Sequence, residues 1–286
     1  MDGPSPATEP RAWTPTTLRT EDWLLAAPPS GPAVTVTATA TAVDAMLHHG
    51  PGFAVLRDLD LEGRTDRECV DRCAELVALL RAPVGGRLHR SANELLTAAT
   101  APAVHPGPPG ASAPARPSEG DALTLPPHMD RGEGPTPPHV LALLCVRPAA
   151  EGGASLLAAG TTVHNRLLAD DPAALRELYG DFHFGRGPGF DRVRPVFRRD
   201  GDTLDVHYNR YWIDRGQDET GTPHPPARRH ALDVVDRLLA DPATVLRLPL
   251  RRGDLLLVNN DAVLHGRTAF QDTGTTRRRY ARVWAD

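Results

Sequence analysis

Short apolar runs, each closed by a turn signal, fill the second half of the chain and most strongly limit the fold it can adopt. Residues 139–146 form a continuous apolar run that is typical of a strand buried on both faces. Residues 196–206 predict a hairpin around an Asp-Gly turn. Further strands are predicted at 52–57, 245–250, 255–258 and 278–284, with 245–250 and 255–258 expected to pair across the turn between them.

Helices are predicted between these strands without a regular strand–helix alternation. Residues 66–80 carry apolar side chains at three- and four-residue spacings, with Thr65 as the N-cap. Two more helices are expected near 162–179 and 227–240, the second with a buried apolar stripe. This order favours a β-sandwich or barrel core decorated by helices, and it disfavours a parallel α/β sheet.

The chain divides into an arm and one domain. Residues 1–32 are rich in proline and polar residues without a period, which predicts an extended or frayed N-terminal arm. Residues 33–286 then form a single domain. The proline- and glycine-rich segment 101–120 cannot hold a helix or a ladder, and the glycine-containing stretch at 183–192 has no apolar strand before it and no helix after it, so we interpret both as loops of an active site.

Composition excludes several classes of function. The formal net charge of −4 over 286 residues removes the electrostatic case for binding nucleic acid or an anionic membrane. All 32 basic residues are arginines, which excludes mechanisms that need a lysine. No run approaches the ~18 apolar residues of a membrane span. Three cysteines are too few for a disulfide framework and indicate a reducing compartment, so we expect a cytoplasmic protein.

Two distant segments offer metal ligands. The triplet His128-Met129-Asp130 has the His-x-acid spacing, and chance would supply roughly 1.5 such triplets in this composition, so the spacing alone is weak. On a strand, however, residues i and i+2 share a face, so both side chains can reach one ion. A candidate third ligand is His265, which lies just beyond an apolar strand.

The last strand carries an unusual arginine pattern. Arg278, Tyr280 and Arg282 alternate onto one face of the strand. If that face is interior, the two guanidinium groups require an anion, since an unpaired buried charge is costly. The plainer interpretation of residues 277–279 is a solvated basic edge that discourages strand pairing.

These residues together resemble a known family. His128-x-Asp130, the Glu-Gly-Gly-Ala-Ser step at 151–155, and residues 253–282 are similar to the iron(II)/2-oxoglutarate-dependent oxygenases of the taurine dioxygenase (TauD/TfdA) and clavaminate synthase-like group. The resemblance runs from about residue 52 to the C-terminus. It implies an α+β fold, mainly β with flanking helices, around a double-stranded β-helix (jelly-roll, cupin-like) core.

The resemblance also implies roles for individual residues. His128, Asp130 and His265 would ligate iron(II). Arg278 would bind the distal carboxylate of 2-oxoglutarate, the cosubstrate, with help from the hydroxyl of Ser155. The register among residues 277, 278 and 279 is left open by one position.

Two arginines are candidates for the substrate side. The resemblance implies that Arg282 faces either the cosubstrate or an anionic group of the substrate. Arg210 lies in a polar and aromatic stretch at the end of a predicted strand, where a substrate contact and an ordinary half-exposed strand are equally compatible with the sequence.

The reaction that follows from the resemblance consumes O2 and 2-oxoglutarate and gives succinate and CO2. The expected substrate is a small polar metabolite, such as an amino acid or a specialised-metabolite intermediate, free or tethered to a carrier protein, which is hydroxylated or desaturated. Asp130 keeps its carboxylate, which disfavours halogenation, and Asn259 departs from the family's usual aspartate. The alternative is a non-oxidative cupin-like isomerase or a small-molecule binding protein. The sequence leaves the oligomeric state open.

Overall fold

The structure of the chain is a computed structural model, which describes residues 6, 11–27, 33–81, 88, 94–96, 121–185 and 192–286. The expected loop at 101–120 lies outside the described residues. Of the expected loop at 183–192, residues 183–185 and 192 are described, and they belong to a strand hairpin or border it. No helix of the described part of the chain combines the length and apolar character needed to cross a membrane.

The described residues form helices and strands with the following bounds. The helices are α1 Ala33–His48, α2 Asp66–Arg81, α3 Gly160–Asp170, α4 Pro172–Leu178, α5 Arg210–Glu219 and α6 Pro226–Ala240. The strands are β1 Leu24–Ala26, β2 Phe53–Arg57, β3 Glu94–Leu96, β4 Asp121–Ala122, β5 Leu125–His128, β6 Val140–Arg147, β7 Glu151–Gly152, β8 Ser155–Ala159, β9 Asp181–Phe184, β10 Arg192–Pro195, β11 Phe197–Asp200, β12 Thr203–Val206, β13 Leu246–Leu248, β14 Leu255–Asn259, β15 Val263–Arg267, β16 Phe270–Gln271 and β17 Arg279–Ala285.

Two sheets make up the core. The larger sheet has six strands in the order β1-β2-β14-β6-β17-β3, and the smaller has four in the order β13-β8-β15-β5. Among the described strands only β1 and β2 pair in parallel. The central pairs β14–β6, β17–β6 and β15–β8 are antiparallel, so the expected barrel-type core with flanking helices is confirmed and a parallel α/β sheet is excluded.

Side-chain alternation along the strands separates three apolar layers. In β14, Leu256 and Val258 point between the two sheets, whereas Leu255 and Leu257 point outward at helices α1 and α2. The smaller sheet is covered on its outer face by helices α3, α4 and α6. Each fully buried leucine stabilises the fold by about 1.5–3 kcal/mol relative to an exposed one. Because the outer faces are covered by helices, a functional site can form only from side chains on the inner faces, at one end of the two sheets.

Several predicted elements are found where the sequence places them. Helix α2 begins with the capping box between Thr65 and Glu68, in which the Glu68 carboxylate accepts from the Thr65 backbone N–H at 2.7 Å. Strand β6 and the β11–β12 hairpin also match the predicted runs. Residues 11–27 of the expected arm lie against the core instead of fraying, because Trp13 is buried and β1 pairs with β2.

Two local expectations are wrong, and one helix was not predicted. Strands β13 and β14 do not pair with each other, because β13 pairs with β8 and β14 lies between β2 and β6. The helix expected near 162–179 is two helices, since Asp171 caps a second helix that starts at Pro172. Helix α5 was not expected. It begins where the Asn209 side chain accepts from the backbone N–H of Trp212.

Candidate metal centre

Two histidines meet as cross-strand neighbours in the smaller sheet. His128 ends β5 and His265 lies in β15, and the register of these antiparallel strands sets the two residues directly opposite each other. Their ring centroids are 4.9 Å apart. His265 shares the inner face of β15 with Val263, which packs between the sheets. The pairing of two strands therefore brings together imidazoles that are 137 residues apart in sequence, as the numbering shows.

Asp130 completes the cluster two residues after His128. Its Oδ1 lies 3.5 Å from His128 Nε2 and 3.6 Å from His265 Nε2. All three candidate ligand atoms lie within 4.8 Å of one another, and Asp130 and His265 are buried. Neighbouring ligand atoms around an ion with bonds of roughly 2.1 Å are about 3 Å apart, so a small shift would close these three groups on one ion.

The protonation states suit a metal. The Nδ1 of His128 lies 2.9 Å from the carbonyl oxygen of Pro126, which can only accept, so the lone pair of the ring is on Nε2. Burial lowers the pKa of His265, which favours the neutral form of that imidazole. Burial alone would raise the pKa of Asp130, but its contacts with both histidines and the nearby charge of Arg282 outweigh burial and hold the pKa well below its usual value. Two imidazoles and one carboxylate are the donor set of non-haem iron(II) oxygenases.

Asp130 is held from two directions. The buried side chain of Asn260 accepts from the Asp130 backbone N–H at 2.9 Å and donates to the Asp130 carbonyl at 3.0 Å. The Oδ2 of the carboxylate accepts from the indole N–H of Trp284 at 2.9 Å and from Arg282 at 3.4 Å. These contacts leave Oδ1 directed at the two histidines.

Three arginines in succession have different environments at the start of the last strand. Arg277 is exposed, and Arg279 pairs with Asp66 on the helix-covered side of the larger sheet. Arg278 is 6% exposed, and its guanidinium carbon lies 3.9 Å from the ring centroid of Tyr280, which packs between the sheets. Burial lowers its pKa, and its Nε has no hydrogen-bond partner among the described residues. The sequence left the register among residues 277–279 open, and these environments favour Arg278 as the arginine that faces the site.

The Gly-Gly step lies directly beside Arg278. Gly152 and Gly153 both have φ of +71°, and a Cβ on Gly153 would lie 3.5 Å from the Nε of Arg278. Ser155 is buried at the start of β8, opposite Arg267 of β15. Burial, and to a lesser degree the charge of Arg278, lower the pKa of Arg267 to about 10. This end of the sandwich thus holds two buried guanidinium groups and suits an anion.

Arg210 lies in a different environment from the other expected site residues. It begins α5, and its guanidinium pairs with Asp214 at 2.8 Å, Asp233 at 3.0 Å and Asp236 at 2.5 Å. These contacts join α5 to α6. No contact of the described residues links Arg210 to the metal cluster, so its role in substrate binding stays a prediction.

Sequence reasoning assigned no role to three residues of the site. Asn260 and Trp284 hold Asp130, as described above, and Arg131 follows it with a left-handed backbone, φ 58°. The guanidinium carbon of Arg131 lies 4.5 Å from the ring centroid of Trp284. The alternation Arg278, Tyr280, Arg282 continues to Trp284, and that pattern was the available signal.

Comparison with known proteins agrees with this geometry. Residues 30–284 match the family described as "Taurine catabolism dioxygenase TauD, TfdA family". A uridine-5'-phosphate dioxygenase of a Streptomyces species is 39% identical over 140 residues, covering 46% of this chain and 49% of the relative. The FR-33289 synthase of Streptomyces rubellomurinus is 28% identical over 172 residues, covering 56% of this chain and 49% of the relative. The matches thus span about half the length of these curated relatives.

A solved structure supports the fold. Asparagine oxygenase, in complex with Fe(II), a 3-hydroxyasparagine and succinate, superposes with a TM-score of 0.63 at 18% identity, covering 88% of this chain and 82% of the other. The double-stranded β-helix core is therefore confirmed. The family match over most of the chain, with the His-Asp-His cluster at the end of the sandwich, shows that this chain belongs to the TauD, TfdA family of dioxygenases.

Proposed function

We propose that the chain is an iron(II)- and 2-oxoglutarate-dependent dioxygenase that hydroxylates or desaturates a small polar metabolite and releases succinate and CO2. One observation carries the proposal. Arg282 and Trp284 of the last strand contact Asp130 of the His-Asp-His cluster. Arg278 alternates onto the same face and is buried, and its Nε has no partner among the described residues. A cupin-like isomerase or a structural metal site has no need of a buried guanidinium at that end of the core.

The residues take separate roles in the proposed reaction. His128, His265 and Asp130 would hold the ferrous ion, which would supply the activation of dioxygen. Arg278 binds the distal carboxylate of 2-oxoglutarate, because its planar guanidinium can donate to both oxygens at once. The Ser155 hydroxyl at the start of β8 adds a donor to that carboxylate.

The surroundings of Arg278 keep it ready for this role. Its cation lies against the rings of Tyr280 and Phe270, at 3.9 Å and 5.1 Å from their centroids, which orients it without neutralising it. A carboxylate entering this space replaces the hydration that burial has removed. The gain in charge-assisted hydrogen bonds is about 1.5–3 kcal/mol per bond.

The substrate we propose carries an anionic group. Arg131 and Arg282 both lie over Trp284, with guanidinium carbons 4.5 Å and 4.3 Å from the ring centroid, next to the carboxylate that Trp284 binds. Arg131 is partly exposed and makes no ion pair with a described residue. Similar chemistry occurs in relatives, since one is a uridine-5'-phosphate dioxygenase and another structure holds a hydroxylated asparagine. Amino acids and phosphorylated or sulfonated intermediates therefore head the candidates.

Two further points belong to the proposal. The substrate is either a free metabolite or one tethered to a carrier protein, and Arg210 stays a predicted substrate contact. We also infer a cytoplasmic location, because Cys69, Cys73 and Cys145 are buried free thiols, as expected in a reducing compartment.

Succinate release tests the proposed reaction. The purified protein is incubated with iron(II), 2-oxoglutarate and oxygen, and with a panel of metabolites that includes neutral analogues of each anionic candidate. We expect an anionic candidate to raise the rate of succinate formation and to gain one oxygen atom or lose two hydrogens by mass spectrometry. Conversion of a panel member without 2-oxoglutarate or oxygen would instead support the isomerase alternative.

Arg131 tests the substrate class. Arg131→Gln removes the charge and leaves a shorter but still polar side chain, and we expect KM for the anionic substrate to rise by roughly 10- to 100-fold, as for a lost charge-assisted hydrogen bond. The matched control is Arg64→Gln, because Arg64 is an exposed arginine between β2 and α2. An equal KM in both variants would contradict an anion contact at Arg131.

A further inference from the structure

The two carboxylate oxygens of Asp130 have different environments. Oδ1 faces the histidines, at 3.5 Å and 3.6 Å from their Nε2 atoms. Oδ2 faces the larger sheet, where it accepts from the Trp284 indole at 2.9 Å and from Arg282 at 3.4 Å. The indole bond has the better length of the two. Oδ1 thus faces the histidines of the smaller sheet, and Oδ2 contacts the last strand of the larger sheet.

The Trp284 indole is fixed in place. Its side chain is 2% exposed and belongs to the apolar layer between the two sheets. The guanidinium carbons of Arg131 and Arg282 lie 4.5 Å and 4.3 Å from the centroid of its ring. Strand β17 fixes its backbone through pairing with β6, opposite Leu141. A side chain held in this way loses little entropy in keeping its N–H directed at one oxygen.

We propose that Trp284 is a positioning residue that restricts Asp130 to one metal-binding oxygen. The role rests on the proposed iron site. With Oδ2 held by the indole, only Oδ1 can bind the ion, so the carboxylate takes one coordination position instead of two. That leaves room for the two oxygens of 2-oxoglutarate and for dioxygen on an ion with six positions. Without the indole N–H, Oδ2 keeps only the longer contact with Arg282, which holds the carboxylate less firmly against rotation and against binding through both oxygens.

The chain provides a matched control in Trp13. This tryptophan is also 2% exposed and also donates a buried indole N–H, in this case to the Pro51 carbonyl at 2.7 Å. It packs on Phe53 and makes no contact with a described metal ligand. Replacing either tryptophan by phenylalanine removes one buried N–H and part of one ring. The two variants therefore lose a similar amount of packing and one buried hydrogen bond each. Only Trp284→Phe also loses a contact with Asp130.

The test uses cobalt(II) alone as the probe. Dissociation constants and ligand-field absorption are measured for the wild type, Trp284→Phe and Trp13→Phe, after thermal melts have confirmed folding. We expect Trp284→Phe to weaken cobalt binding by about 10- to 100-fold, the usual effect of losing a partner of a metal ligand, and to alter the absorption bands. Trp13→Phe should change neither. Equal effects in the two variants, or an unchanged constant and spectrum for Trp284→Phe, would overturn the positioning role.

A second variant covers a failure to fold. Trp284→His is smaller but keeps a ring N–H, so its cobalt affinity should remain within about threefold of the wild type. A loss as large as that of Asp130→Ala would overturn the proposal. A wild-type protein that binds no cobalt would overturn the proposed function itself, which separates that failure from a failure of the positioning role alone.

Discussion

Replacing Asn260 by alanine removes the side chain that ties the β14–β15 turn to the metal ligand Asp130. Asn260 is fully buried and uses its whole amide. Its oxygen accepts from the Asp130 backbone N–H at 2.9 Å, and its nitrogen donates to the carbonyls of Asp130 at 3.0 Å and Pro138 at 2.9 Å. Alanine offers none of these bonds and leaves their backbone partners without one.

The size of the loss follows from these contacts. Each intramolecular hydrogen bond contributes about 1 kcal/mol net, and a buried group left without a partner costs about 1–3 kcal/mol. Three lost bonds with one stranded backbone group put the loss in unfolding free energy at about 4–6 kcal/mol. Because the backbone of Asp130 is then released, we also expect metal affinity to fall by about tenfold.

The neighbouring Asn259 is the matched control. It is also buried, but its amide bonds Leu47 at 3.1 Å and Asp261 at 3.1 Å, away from the metal ligands. Urea unfolding and cobalt titration of both alanine variants give the comparison. We expect Asn259→Ala to lose about 2 kcal/mol with unchanged cobalt affinity. A loss below about 1 kcal/mol for Asn260→Ala, or an equal fall in metal affinity for both, would refute the reasoning.

Three further predictions concern the cosubstrate, the thiols and the Gly-Gly step. Arg278→Ala should weaken 2-oxoglutarate binding at least tenfold, as for a lost charge-assisted contact, while cobalt affinity stays the same; equal 2-oxoglutarate binding would place another arginine in register. Burial raises the pKa of Cys73 to about 12 and that of Cys145 to about 11, so both thiols stay protonated at pH 8. Mass spectrometry should find both unmodified by iodoacetamide in the folded protein and alkylated in urea. Gly152→Ala should destabilise the protein by more than about 2 kcal/mol in thermal melts, because the added Cβ would meet a backbone oxygen. Gly201→Ala should cost about 1 kcal/mol in the same melts, because Gly201 has a positive φ but open space around it.

The local elements of the fold could be predicted because each depends on nearby residues. The period of α2 and its Thr65–Glu68 capping box lie within 66–81. The apolar run of β6 and the Asp-Gly turn of the β11–β12 hairpin are equally local. The break at Pro172 and the Asn209 cap of α5 were also local signals, and they show that caps deserve the same weight as periodicity.

Strand pairing could not be predicted from adjacency. The segments 245–250 and 255–258 are close in sequence, and a hairpin was expected for that reason. In a jelly-roll core, however, consecutive strands cross from one sheet to the other. Strand β13 therefore joins β8 in the smaller sheet, and β14 joins the larger one. Burial on both faces of β14 gives no information about its partner, since all five of its residues are buried.

The sequence predicted the residues that form the metal cluster, but it did not predict the residues that hold Asp130 in place. The His-x-Asp triplet, His265 and the arginine pair followed from motif order, and the structure brings the three metal-binding candidates together. The roles of Asn260 and Trp284 depend on contacts across 130 and 154 residues of sequence. No local pattern specifies such a contact. It arises only when β14, β17 and the segment after β5 are packed together.

Anaerobic titration of iron(II) and 2-oxoglutarate into the purified protein tests the central claim most directly. A cosubstrate bound to iron through its keto and carboxylate oxygens gives a weak visible charge-transfer band, which neither component gives alone. The account predicts such a band, saturating at one iron and one 2-oxoglutarate per chain in the wild type and appearing only at higher 2-oxoglutarate concentrations in Arg278→Ala. A folded, iron-loaded protein without the band would contradict it.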